Sequence, residues 1–389
     1  MKLSFYGADQ CVTGSCHCLE VNGKKILVDC GLQQGRDEVD NGALPFHSGS
    51  IDYVLVTHAH IDHTGRIPML VKQGFQGRIL TTRLTANLMD IMLLDSAHIQ
   101  ESDAEWKNRK AERSGAPKVE PLYTVADAEN VKQYVTTCEY GQDVELCEGV
   151  SVRFADAGHL LGSACITVTA TENGETKKII FSGDLGNVDQ PIIRDPSHFA
   201  GADYVIMEST YGNRNHTEVT DDLAQIIDET MAKGGNVVIP AFAVGRTQEL
   251  LYFIREIKDK GLVKSNPDFP VYIDSPLARR ATTIFTGDLG EVGSTLLHEL
   301  MHKADCPVEN HQDCGCLLYD VAAQNVQAGG SGAGCSAAVL CAWVLPRLFD
   351  GRFKRVLFLS TGALMSQTTF LQGETIPGIA HCVELGGLV

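Results

Sequence analysis

Basic charge is scarce in this 389-residue sequence. Its 32 Lys and Arg stand against 49 Asp and Glu, a formal net charge of −17. A fold-wide basic surface is therefore excluded, and a nucleic acid would have to be held by a local basic groove or by bound cations. Long apolar runs are missing as well, and no stretch suffices to cross a bilayer. The N-terminus, Met1-Lys2-Leu3-Ser4-Phe5-Tyr6-Gly7-Ala8-Asp9, meets a charge too early for a secretory leader, so a cytoplasmic protein is expected. The 13 cysteines are odd in number and scattered, which argues for reduced thiols over a disulfide framework. The C-x-x-C spacing of metal sites is absent, and Cys16-x-Cys18 and Cys314-x-Cys316 are set aside.

What is present is ordinary globular material, 44% hydrophobic, with the length of roughly two or three domains. One stretch is not ordinary. The apolar run Ile51–Val56 reads as a buried strand and leads straight into Thr57-His58-Ala59-His60-Ile61-Asp62-His63. Three imidazoles and a carboxylate at a strand end suit zinc and similar divalent ions. Donors this close in sequence fit two neighbouring ions better than one closed structural site, provided that further ligands arrive from elsewhere.

Those ligands are sought at other strand ends. Residues 3–30 read as two or three strands with an Asn22-Gly23 hairpin turn, and the strand Lys25–Val28 ends in Asp29. Asp29 is expected to orient a ligating histidine through a hydrogen bond rather than to touch a metal. Gly65–Val71 begins a helix with Pro68 in its first turn, and residues 82–113 read as long, charge-rich helical segments. His98 on that helical stretch is left out of the site. After strands around 143–156 comes His159, between Gly158 and an apolar strand. The strand Lys178–Ser182 then delivers Asp184. Strand tips gather at one edge of a layered sheet, so His58, His60, Asp62, His63, His159 and Asp184 could converge, with Asp184 placed to bridge two ions.

These residues resemble the metallo-β-lactamase superfamily. The resemblance implies an αββα sandwich over residues 1–200 and two Zn2+ ions. It assigns His58, His60 and His159 to one ion, and Asp62, His63 and Asp184 to the other, with Asp184 shared. Asp29 matches the family's strand-end aspartate. Downstream, Tyr204–Gly212, Gly235–Leu251 and Pro270–Ala278 are similar to the β-CASP branch, which processes RNA, and Glu208 matches its first acidic motif. Residues 201–287 would then be a partial β-CASP α/β domain, in which Tyr204–Gly212 is a strand ending in an acid, Gly235–Leu251 is strand, turn and helix, and Pro270–Ala278 is another strand and turn. Asp62 is the candidate for orienting or deprotonating the attacking water, and Glu208 joins it as a catalytic candidate. The expected function is a metal-dependent ribonuclease with RNA as partner. A hydrolase of small thioesters or lactams fits Glu208 and the 235–278 segment less well.

From about residue 286 the character changes. Ala328–Ala338 is glycine-rich, a helix is expected at 337–349 and a strand at 355–360. This end resembles the stage V sporulation protein AD family, which implies a partial thiolase-like segment over 288–389. Against that resemblance, the histidines the β-CASP branch supplies after its insertion are missing here, and their loss would weaken the second metal site and impair turnover. The alternative function is a non-catalytic module that binds an anionic small molecule, dipicolinate-like, through this end. Self-association of the chain is a further expectation. His298-Glu299-Leu300-Met301-His302 satisfies the H-E-x-x-H pattern, but its surroundings give no persuasive third ligand.

Overall fold

In a computed structural model the chain is described over residues 1–35, 41–114, 117–199, 201–210, 212–213, 222–287, 339–353, 355–363 and 378–386. The H-E-x-x-H stretch, His311, Cys314-x-Cys316 and the glycine-rich stretch 328–338 lie outside the described residues. The chain divides into two compact units, Met1–Thr282 and Thr283–Val389.

The first unit opens with β1 (Lys2–Gly7), β2 (Cys16–Val21) and β3 (Lys24–Val28), an antiparallel meander. Asn22 and Gly23 both take positive φ, the geometry that a tight hairpin between right-twisted strands needs. β4 (Tyr53–Leu55), β5 (Arg78–Thr82) and β6 (Val135–Cys138) extend the sheet in parallel, giving the order β1-β2-β3-β4-β5-β6. Parallel neighbours need crossovers, which helices supply. These are α1 (Ile61–Thr64), α2 (Ile67–Lys72), α3 (Arg83–Ser114) and α4 (Val125–Asn130). The charge-rich stretch expected as several helical segments is one continuous helix of 32 residues, α3, whose apolar side buries Leu88, Met89, Met92, Leu93 and Ala97.

The second sheet has the order β11-β10-β9-β8-β7, from β7 (Asp143–Cys147), β8 (Val150–Asp156), β9 (Ala164–Glu172), β10 (Glu175–Phe181) and β11 (Tyr204–Ile206). One apolar core joins the two sheets face to face. Leu19, Val21, Ile26, Val28, Leu55 and Leu80 come from the first, and Val152, Phe154, Ile166, Val168, Ile179 and Phe181 from the second. This is the mixed α/β sandwich expected from the sequence. Strand ends of both sheets meet at one rim, where Thr57 O accepts from Ala164 N at 2.8 Å.

The same unit continues through α5 (Asp222–Ala232), α6 (Arg246–Asp259) and the start of α7 (Pro276–Gly287). A small core of Ile227, Ile257, Val263 and Phe269 holds α5 and α6 together. Buried Gln248 ties α6 to α7 through Ala278 O at 3.4 Å and Thr282 Oγ1 at 3.0 Å. The strands expected at the start of Gly235–Leu251 and of Pro270–Ala278 are not formed; neither stretch has a strand residue. Val238 and Tyr272 are each 86% exposed. Strand propensity is realised only against a paired neighbour, and no strand flanks either stretch among the described residues.

In the second unit, residues 339–349 are helical as expected. A π-turn at Leu340–Val344 runs into α8 (Leu345–Phe349), and Val339, Val344 and Leu348 form a small core. β12 (Arg355–Ala363) pairs antiparallel with β13 (Gly378–Gly386) in a two-stranded ribbon. Among the described residues, no helix is long and apolar enough to cross a membrane.

Candidate metal centre

The rim of the sandwich carries the histidines. β3 ends in Asp29, which takes a positive φ of 60° and turns its buried carboxylate under the next loop. Its Oδ1 accepts from Thr57 N at 2.8 Å and its Oδ2 from Thr57 Oγ1 at 2.9 Å. Oδ2 also lies 2.7 Å from His63 Nδ1. Asp29 therefore fixes the ring of His63 from behind and leaves its Nε2 facing the rim.

Backbone bonds hold the motif loop as tightly. Ser15 N donates to Asp62 O at 2.8 Å, Cys30 N to His63 O at 2.8 Å and Leu32 N to Ile61 O at 2.9 Å. Arg66 Nε, buried, donates to Gly31 O at 2.6 Å. Gly31 has no room for a side chain, since a Cβ there would lie 1.5 Å from Asp62 O. On the other sheet Gly186 is just as close to Gly158 O, which packs the Asp184 loop against the His159 loop. Ser163 Oγ accepts from both His159 N and Leu160 N at 3.1 Å.

Four donors converge. His58, His60, His159 and Asp184 each offer an atom within 4.8 Å of the others. His58 Nε2 is 3.1 Å from His60 Nδ1, and His159 Nε2 is 3.3 Å from that same nitrogen. Asp184 Oδ2 lies 3.8 Å from His58 Nε2 and 3.6 Å from His159 Nε2. A second group sits alongside, with His63 Nε2 at 3.1 Å from Asp184 Oδ1 and 3.9 Å from Asp62 Oδ2. The two oxygens of Asp184 thus face different groups. Glu208 stands outside both: its Oε1 accepts from Leu185 N at 2.5 Å, and its own N donates to Ser182 Oγ at 3.1 Å. It braces the loop that carries Asp184. His98 is exposed on α3, and Cys16 and Cys18 are buried in β2, away from the converging group.

Electrostatics separates the two groups. Burial pushes the His58 imidazole well below its ordinary pKa, with His63, His60 and His159 adding to the effect. Burial, with His159, takes His60 down to about 4, and burial lowers His159 too. These rings are neutral near pH 7 and present lone pairs, the form that binds cations. His63 goes the other way. Burial opposes its charge, but Asp29 and Asp184 outweigh burial and raise its pKa well above the ordinary value. Burial would raise Asp184, yet its contact with His63 holds it below the usual carboxylate range. Asp62 is raised, chiefly by burial. Neutral nitrogens 3.1–3.3 Å apart with a carboxylate among them repel unless a proton or cation lies between. This donor set fits a divalent metal.

A cavity of about 590 Å³ opens beside the second group. Its walls include Phe5, Asp9, Ser15, His17, Asp29, Thr57, His63, Phe181, Asp184 and Glu208. Phe5, Ser15 and His17 escape a motif search. The available signal was period two on β1 and β2, which puts Phe5 and His17 on the face that carries Leu3 and Leu19.

Comparison with known proteins agrees with this geometry. The metallo-beta-lactamase superfamily model matches residues 10–228, the Beta-Casp domain model 247–308, and the stage V sporulation protein AD model 278–386. The expected change of character near residue 286 falls in the overlap of the last two. Ribonuclease TTHA0252 of Thermus thermophilus is 36% identical over 289 residues, 73% of this chain and 61% of that protein. Transcription termination factor FttA of Methanosarcina mazei is 32% identical over 332 residues, 80% of this chain and 49% of that one. Cleavage and polyadenylation specificity factor 73 of Drosophila melanogaster is 31% identical over 305 residues, 73% and 40% respectively. The chain spans about half the length of the curated relatives it matches.

Proposed function

The chain belongs to the metallo-β-lactamase superfamily, and from that premise we propose that it hydrolyses phosphodiesters of RNA with two Zn2+ ions held at the sandwich rim. The observation that carries this reading is Asp184, whose two oxygens divide between the His58/His60/His159 group and the Asp62/His63 group. The ribonuclease relative and the Beta-Casp match support RNA as the substrate class. Bound ions would supply Lewis acidity toward the phosphoryl oxygens and lower the pKa of a water.

The chain's own residues do the rest. His58, His60 and His159 are kept neutral by burial and need lose no proton to bind. Asp29 holds His63 in one orientation. Asp62, at the mouth of the second group, accepts the proton of the attacking water, and its burial makes it a stronger base than an exposed carboxylate. Glu208 keeps the Asp184 loop in place through Leu185 N. Among the described residues, three side chains make up the second group against four in the first, so the second ion is the weaker one and turnover is slow.

An RNA-cleavage assay with and without chelator, run beside a His58→Ala, His60→Ala double variant, tests the proposal. Chelator-sensitive cleavage lost in the double variant is the expected result. Cleavage that survives both treatments would sink it.

A further inference from the structure

The cavity beside the metal centre has two chemically different ends. One end is the donor group, with His63, Asp184, Asp29 and Thr57. The other is aromatic. Leu3 and Leu19 are opposite one another across β1 and β2 and pack on the sandwich core. Two residues further along the same face, Phe5 is opposite His17. This pair stands where the core ends and the cavity begins. The His17 ring is stacked on Phe181, with centroids 6.2 Å apart and planes 21° apart. Phe5 meets His17 edge-on at 5.3 Å and 71°.

Three features of this end call for a ligand. Phe5 is 49% exposed although its face is the core face of the strand. His17 Nδ1 is buried with no hydrogen-bond partner among the described residues, and a buried polar atom without a partner is costly. Among the described residues, the cavity lining holds Asp9, Asp29, Asp184 and Glu208 but no lysine or arginine. A phosphate at the aromatic end would meet carboxylates and no lysine or arginine of the described lining. A nucleobase is uncharged, has a π-face for Phe5, and carries edge donors and acceptors for His17.

We propose that Phe5 and His17 form a nucleobase subsite, in which the base of a nucleotide whose phosphate lies at the metal end stacks on Phe5 and hydrogen-bonds His17. This rests on the RNA-hydrolase reading. It adds that the chain grips a base as well as the phosphate, so the acidic cavity is matched to a nucleotide by its neutral part. About 590 Å³ is within the usual range for a small-molecule site.

The probe is 2-aminopurine riboside 5′-monophosphate, whose fluorescence is quenched on stacking, titrated into the zinc-loaded full chain. Ribose 5-phosphate, which lacks a base, is titrated in parallel by calorimetry. The parent protein quenches the probe. Phe5→Leu weakens probe binding about tenfold, within the range for base–aromatic stacking, and leaves ribose 5-phosphate binding unchanged. His17→Phe keeps the ring but not the nitrogens; it retains the quench and binds severalfold more weakly. The proposal is overturned if the parent protein does not quench, or if Phe5→Leu weakens both ligands alike or neither. Failure of the underlying reading is a separate result: ribose 5-phosphate would then bind no better with zinc than without it.

Discussion

The two-sheet sandwich and the 222–287 segment contain the same kind of strand sequence, and only the first makes strands of it. Val54, Leu55, Ile179 and Phe181 lie in ladders and are buried. Val238, Ile239, Val271 and Tyr272, equally β-prone, lie outside any ladder with exposed side chains. The helices α5, α6 and α7 form in that segment regardless, because a helix satisfies its backbone internally. A strand does not; it borrows its hydrogen bonds from a neighbour. Local sequence can therefore specify a helix alone, whereas a strand needs a second stretch of chain at the right distance. The candidate metal centre depends on this, because every donor loop hangs from a paired strand end.

The largest effect is expected from damage to the sandwich core. Phe154 is fully buried between the sheets. Phe154→Ala should lower stability by about 3–5 kcal/mol, read as the urea midpoint of the main unfolding transition. A loss below about 1 kcal/mol would mean that the sheets are less tightly packed than their burial suggests.

A smaller effect is expected behind the centre. Asp29→Asn keeps the size and tolerates the positive φ but removes the charge facing His63. Zinc affinity at the Asp62/His63 group, where the second ion is proposed, should fall about 10–100-fold, measured by competition with a chromogenic chelator. Unchanged affinity would show that Asp29 serves the fold rather than the metal.

The next effect is in pH. His63 has a raised pKa and carries a proton near pH 7. An ion at its Nε2 must displace that proton, so affinity rises with pH, by up to about tenfold per unit, and is lost as pH falls. His58, His60 and His159 are depressed and already neutral, so zinc proposed at that group should bind with nearly constant affinity from about pH 6.5 upward. Chelator competition at a series of pH values checks both slopes. Equal slopes would erase the distinction between the two groups.

The smallest effect sharpens the comparison from its other side. Val238→Ser should change stability by no more than about 0.5 kcal/mol, since Val238 has almost nothing to lose. A larger loss in the same urea experiment would mean that this stretch is covered in solution.

The donors were legible in the sequence because each sits within a few residues of a strand end with a local signature: His-x-His-x-Asp-His after Val56, His159 between glycine and an apolar run, Asp184 after Phe181. Order along the chain was sufficient to name them. Phe5 and His17 were not legible, since an aromatic on a strand face looks like core until the opposing sheet is seen to stop short of it. The contact between Asp29 and His63, 34 positions apart, was anticipated only as a type.

Sequence alone named the candidate donors, because the identity of a donor atom is a property of its own residue. Tertiary structure decided everything that is a distance: that the two oxygens of Asp184 face different groups, that carboxylates outweigh burial at His63 while burial wins at His60, and that 236–239 finds no partner strand among the described residues. Those outcomes depend on which distant groups share a low-dielectric space, and that is fixed only when the sheets close on each other.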